Sequence, residues 1–396
     1  MKQSIRDLDL KDKKVLIRVD FNVPLNEALE ITNDNRIQAS LPTIQFALEK
    51  GAQVILMSHL GRPKGKVNAS MSLAPVAKHL KGLLNREVVM CSDCVGEAVV
   101  AEVNGASKDA VVLLENLRFH SEEEANDPDF AKSLAALGDV FVNDAFGTSH
   151  RAHASVAGIA EHLNSAAGFL LEKEVKFLGD ATRDAKKPFV LILGGSKVSD
   201  KICLIENMIS KVDKIIIGGA MAYTFMKVQG KSVGMSRVEE DRLVTAQDIL
   251  DKAKAANVEI LLPDDNLCIQ EFKNDAPSKI CENGMDDGYE GVDIGPKTMA
   301  KFTQALEGAQ TIVWNGPMGV FEMSNFAKGS RAIADKLATL NDAVTVIGGG
   351  DTAACVIQFG LDSQMTHIST GGGASLEYLE GKELPGITAI PETTKV

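Results

Sequence analysis

The chain has 396 residues, 45% of them apolar and 24% charged, and a formal net charge of −12. That length exceeds one ordinary hydrophobic core and predicts two domains of similar size. The acidic balance argues against nucleic acid or an anionic membrane as partner. The charged start has no apolar segment of the kind a secretory leader needs, so a cytoplasmic protein is expected. No apolar run approaches membrane-spanning length. Six cysteines in so long a chain read as reduced thiols. Cys91 and Cys94 have redox-motif spacing, but no second cysteine pair or neighbouring histidine cluster in the sequence completes a zinc site, and the spacing reads as chance.

Taken in chain order, β-rich apolar runs occur at Lys14–Val19, Gln53–Met57, Glu87–Cys91, Ala110–Leu114 and Asp139–Val142. A second series comprises Phe189–Leu193, Lys214–Ile217, Val258–Leu262, Thr311–Trp314, Ala343–Ile347 and His367–Ser369. Helical patterns lie between them, among them Arg36–Lys50, Leu73–Leu84, Pro128–Leu137, Glu240–Ala256, Pro296–Glu307 and Asn325–Leu340. This alternation of near-continuous apolar strands with amphipathic stretches predicts an α/β protein of two doubly wound parallel-sheet, Rossmann-like domains. The charged, helical segment Gly168–Asp184 separates the series and is expected to be an interdomain helix. The boundaries predicted are 1–167, 168–184, 185–373 and a tail, 374–396.

Ligands of open α/β sheets bind at the carboxyl ends of strands. In the first half these exits carry Asp20-Phe21-Asn22, His59-Leu60-Gly61-Arg62 and Arg118, with Arg36 and Arg151 nearby. Several arginine forks select a small polyanion, whereas a single arginine more often serves structure. Arg18, inside its strand, reads as structural. Of seven histidines six precede residue 163; His59 is read as an anion donor, and the roles of His150 and His153 stay open. In the second half the exits carry Gly194-Gly195-Ser196-Lys197, with Lys201 four residues on, then Gly218-Gly219, Asn315-Gly316-Pro317 and Gly348–Thr352. Paired glycines let backbone N–H groups approach phosphate, and the lysines supply charge, on one helical face if the helix starts near Ser199. Asp351 would repel a bare pyrophosphate, which a divalent cation would relieve; a plain helix cap is the alternative, and both roles are compatible. Trp314 reads as core.

A segment series running almost end to end, RVDFNVP (Arg18–Pro24), HLGRP (His59–Pro63), VNDAFGTSHRAHAS (Val142–Ser155), LGGSKVSDK (Leu193–Lys201), VWNGPMGVF (Val313–Phe321), GGGDT (Gly348–Thr352) and STGGG (Ser369–Gly373), closely resembles phosphoglycerate kinases of the short bacterial type. The resemblance implies that Asp20, Phe21, Asn22, Arg36, His59, Leu60, Gly61, Arg62, Arg118 and Arg151 hold 3-phosphoglycerate or 1,3-bisphosphoglycerate. It implies that Lys197, Lys201, Gly218, Gly219, Asn315, Glu322, Gly349, Gly350, Asp351 and Thr352 hold ADP or ATP. Glu322 is then the ribose partner and Asp351 the contact to nucleotide-bound Mg2+. Arg36, Lys197, Lys201, Gly349 and Gly350 are the expected catalytic groups, the tail returns to the first domain, and a monomer is expected. A nicotinamide-dependent dehydrogenase is disfavoured, because the acidic ribose residue expected about 20 positions after the glycine loop is missing at a strand end. A non-catalytic anion-binding protein would not need Lys197, Lys201 and Asp351.

Overall fold

The computed structural model describes residues 2–393; Met1 and the last three residues of the expected tail lie outside the described residues. The chain divides into two compact units. The first runs to Val175 and takes back the chain from Glu383, and the second comprises Lys176–Lys382. The division falls inside the helix Phe169–Arg183. No described helix is long and apolar enough to cross a membrane.

In the first unit β1 (Lys14–Val19), β2 (Gln53–Met57), β3 (Val88–Met90), β4 (Val111–Leu113), β5 (Val140–Asp144) and β6 (Asn164–Ala167) form one sheet in the order β3-β4-β2-β1-β5-β6. Every pairing is parallel, with Val15 of β1 opposite both Val54 and Val140. Alternate residues of β1 enter separate apolar clusters: Val15, Ile17 and Val19 join one, while Leu16 joins the other. A strand buried on both faces must be apolar at successive positions, which is why these runs show no polar alternation.

The second unit contains β7 (Phe189–Leu193), β8 (Lys214–Ile217), β9 (Glu259–Leu261), β10 (Asp265–Ile269), β11 (Ser278–Glu282), β12 (Glu290–Ile294), β13 (Thr311–Asn315), β14 (Val344–Gly348) and β15 (His367–Ile368). Its parallel sheet has the order β15-β14-β13-β7-β8-β9. The strand order therefore reverses between β7 and β13, the place where such sheets open a crevice. Trp314 is fully buried in this core, its indole N–H donating to the Gly316 carbonyl at 2.7 Å.

Three elements differ from expectation. β6 was not anticipated, and β10, β11 and β12 form a separate antiparallel sheet, β11-β10-β12. The returning segment starts at Glu383, not Ala374, because Gly373–Leu379 is a helix of the second unit. From there the tail docks through backbone: Gly386 N–H donates to the Ser149 carbonyl, Asn143 Nδ2 to the Gly386 carbonyl, and Gln3 N–H to the Pro391 carbonyl, each at 2.8 Å.

Candidate active site

In the first unit, turns at the carboxyl ends of β1, β2 and β4 interlock. Arg36 Nη1 donates to the Asn22 carbonyl at 2.9 Å and to Asp20 Oδ1 at 3.3 Å. Asn22 Oδ1 accepts the Gly61 N–H at 2.9 Å, and Arg118 Nη1 donates to the Gly61 carbonyl at 3.1 Å. Asp20, Asn22, Arg36, Gly61 and Arg118 thus form one polar cluster. Arg62 is exposed, and Arg151 is half-buried with its Nε–H donating to His150 Nε2 at 3.2 Å. Phe21 and Leu60 have their side chains in the core. The Phe21 N–H already donates to Ser58 Oγ and its carbonyl accepts from Val23 N–H.

Beneath this cluster lies a buried network. Arg18 is fully buried; Nε donates to Ser155 Oγ at 2.9 Å, and Nη1 donates to the Val19 carbonyl. Ser155 in turn gives its hydroxyl (2.5 Å) and N–H (2.9 Å) to the fully buried Glu123. Burial raises the Glu123 pKa, against the pull of Arg18 and the Ser155 hydrogen bonds. Arg18 Nη2 also lies 3.2 Å from His59 Nδ1. A guanidinium can only donate, so Nδ1 accepts and the neutral imidazole carries its proton on Nε2. Burial, then Arg18, Arg118 and Arg36, holds His59 well below the ordinary histidine range. His153 is held down to about 4, by burial first and then by Arg118, Arg18 and Arg151. A neutral imidazole donor beside guanidinium forks suits a carboxylate or phosphate.

In the second unit, the turn after β7 meets the turn after β13. Gly194 and Gly195 N–H groups donate to the Asn315 and Pro317 carbonyls at 3.1 and 3.0 Å. A Cβ on Gly194 would lie 2.1 Å from the Pro317 carbonyl oxygen, so only glycine fits there. Between these turns and the start of the helix Gly350–Gln358 opens a cavity of ≈ 230 Å³, lined by Gly194–Lys197, Asp200, Lys201, Asn315–Pro317, Gly349–Thr352, Gly372, Gly373 and Leu376. Gly349 takes φ +86°, which turns the chain into that helix. A second cavity of ≈ 300 Å³ shares Gly195, Ser196, Pro317 and Asp351 with the first and extends to Gly219, Tyr223, Val292, Val320 and Glu322. Gly218 lines neither cavity, being packed behind Met318.

Lys201 Nζ donates to Asn315 Oδ1 at 2.5 Å, and burial lowers its pKa against Asp200, Glu380 and Asp351. Asn315 Nδ2 is buried without a partner among the described residues, a donor beside the Gly348–Gly349 backbone. Gly316 N–H donates to Thr352 Oγ1 at 2.7 Å, leaving the hydroxyl proton to donate elsewhere. The helix after β7 starts at Ile202, not near Ser199, so Lys197 and Lys201 sit on the turn before it and not on one helical face. Ser199 gives its N–H (3.1 Å) and hydroxyl (2.6 Å) to Glu239, which ties that turn down. Gly349 occupies the cap position of the helix Gly350–Gln358, so Asp351 is not its cap; Asp351 lies in the first turn, exposed.

Residues 5–382 match the family described as phosphoglycerate kinase. The chain belongs to the phosphoglycerate kinase family. It is 55% identical to the phosphoglycerate kinase of Moorella thermoacetica over 392 residues, 99% of each chain. It is 54% identical to that of Clostridium novyi over 395 residues, again 99% of each. Among solved structures, the phosphoglycerate kinase of Coxiella burnetii superposes with a TM-score of 0.88 at 43% identity, and that of Pyrococcus horikoshii with 0.80 at 31%, each covering 98% of both chains. Membership makes the chain a glycolytic kinase, a phosphotransferase whose acceptor is a carboxyl group.

Glu123, Ser155, Glu239, Tyr223 and Val292 escape the sequence reading of this phosphoglycerate kinase site. Ser155 lay within a quoted motif without a role. Glu123 sits in the run Glu122–Glu124, whose letters give no sign that the middle carboxylate is the buried one.

Proposed function

We propose that the chain catalyses 1,3-bisphosphoglycerate + MgADP ⇌ 3-phosphoglycerate + MgATP, with the triose on the first unit and the nucleotide on the second. The observation that carries this assignment is the glycine-lined cleft at the β7/β13 switch point, holding Lys201 and an unpartnered Asn315 donor. Arg36, Arg62, Arg118, Arg151 and the Nε2–H of His59 bind the triose anion. Gly219 and Glu322 border the nucleoside end, and Lys197, Lys201 and the N–H groups at Gly349–Asp351 face the polyphosphate. Asp351 fits a role beside magnesium: it is exposed, borders both cavities, and its carboxylate makes no hydrogen bond or ion pair among the described residues. When bound, the ion supplies neutralisation of phosphate charge.

The acceptor carboxylate is ionised at neutral pH, so no general base is needed. Catalysis is positioning plus stabilisation of charge on the moving phosphoryl group by Arg36 and Lys201, in line and after domain closure excludes water. A monomer in the cytoplasm completes the reading. The test is ATP consumption with Mg2+ and 3-phosphoglycerate, coupled to reduction of the acyl phosphate. Arg36→Ala is expected to lower turnover about 10²–10³-fold with ATP affinity unchanged. Full turnover in that variant overturns the assignment of Arg36.

A further inference from the structure

Asp93 and Cys94 are adjacent in sequence and His120 is far from them, yet the sheet brings the three together. β3 and β4 pair in parallel from Val88↔Val111 to Met90↔Leu113, and the ladder runs on past the strands: Cys91 N–H donates to the Leu113 carbonyl at 2.9 Å and Glu115 N–H to the Asp93 carbonyl at 3.3 Å. The loop after β3 therefore lies against the turn Leu117–Phe119, which carries Arg118 and ends at His120. The sequence shows no second cysteine pair or neighbouring histidine cluster, but the fold places the single distant histidine His120 beside Cys94. One donor atom each from Asp93, Cys94 and His120 lie within 4.8 Å of one another, with His120 Nε2 2.7 Å from Asp93 Oδ1.

We propose that Asp93, Cys94 and His120 form a binding site for a zinc-like divalent ion, with water as fourth ligand. A thiolate, an imidazole and a carboxylate are the donors Zn2+ takes, whereas Mg2+ asks for oxygen alone. Ligands held tetrahedrally at zinc distances stand about 3.3–3.8 Å apart. The Asp93–His120 hydrogen bond must therefore open slightly, and a pair at the 4.8 Å limit would close by about 1 Å. The side chains of Asp93 and His120, 45% and 28% exposed, give the ion a path from water and room to adjust, while Cys94 is buried behind them. Cys91 is turned to Glu102 and takes no part. An ion here clamps the loop after β3 to the Arg118 turn, a structural role beside the anion site and separate from nucleotide-bound magnesium.

The test is titration of the full chain with Zn2+ against a chromophoric chelator, in excess Mg2+, and with Co2+ followed by absorption. One ion per chain is expected, with a thiolate-to-cobalt charge-transfer band. His120→Ala, at a partly exposed position, should weaken binding at least about tenfold, and Cys94→Ser should abolish the band. Binding as tight in His120→Ala as in the parent, or a cobalt spectrum without the thiolate band, overturns the proposal. Circular dichroism of both variants checks that the fold persists.

Discussion

The first unit builds its polar cluster from side chains, and the second lines its cleft largely with backbone. Around Asn22 and Gly61, guanidinium groups of Arg36 and Arg118 donate to backbone carbonyls, and the buried Arg18–Ser155–Glu123 network reaches the site through His59. Around Gly194 and Gly316, two turns approach until there is no room for a Cβ, and the lysines stand at the edge of a glycine floor. Side-chain forks give shape selection for one small substrate, but they must be immobilised by buried partners. Backbone donors come already fixed by strand and helix, and their requirement is steric. The two halves of the molecule are therefore vulnerable to different substitutions.

The largest effect is expected where backbone meets backbone. Gly194→Ala places a methyl 2.1 Å from the Pro317 carbonyl oxygen, and neither strand end can yield without breaking the β7–β13 junction. A loss of about 4–5 kcal/mol in the second unit is expected, with nucleotide binding lost. Chemical denaturation and ATP titration measure both; parent-like ATP binding breaks the claim that the floor is steric.

A smaller effect is expected in the first unit. Glu123→Gln leaves the buried Arg18 facing an amide instead of a carboxylate and costs about 3 kcal/mol. Because Glu123 acts through Ser155, Arg18 and His59, KM for 3-phosphoglycerate should rise while KM for ATP stays unchanged. Equal changes in both would mark a merely structural role. Glu123→Asp, which keeps the charge, should restore part of the difference.

The sequence speaks clearly where one element suffices to specify itself. β7 reads directly as a strand because it is buried on both faces and continuously apolar, and β1 because its apolar run is broken only by Arg18 after the opening Lys14. The glycine turns stood out because they directly follow such strands. The small sheet β10–β12 was illegible, since its strands DNLCI, SKICE and EGVDI mix acidic residues with short apolar stretches. The helix after β7 starts at Ile202 and not near Ser199, whose side chain bonds Glu239, 40 residues away, a partner that local sequence does not show. The pairing of Cys94 with His120 depends on β3 and β4 lying side by side, which spacing along the chain does not encode.

The smallest predicted effect tests a feature the two units share. Asp144 caps the start of the helix Phe169–Arg183, accepting N–H groups of Leu170 (2.8 Å) and Leu171 (3.3 Å). Asp293 accepts those of Ile294 (2.9 Å) and Gly329 (2.7 Å) in the second unit. Burial nevertheless raises each carboxyl to about 7. Since the unfolded value is about 3.9, the native state binds more protons than the unfolded chain between these limits. The stabilisation from each group is complete below the unfolded value and is lost as pH rises through about 7. His153 has the opposite sign, its contribution lost as pH falls toward 4, but it is common to parent and variants and cancels between them. Asp144→Asn and Asp293→Asn keep an acceptor oxygen and remove the titration. Each should therefore flatten the fall in Tm between pH 5 and 8, by about 2–4 °C per kcal/mol relieved. Calorimetry across that range decides the matter: unchanged profiles in both variants would mean the carboxylates stay ionised in the core, and a change in one alone would show that the two units bury charge on different terms.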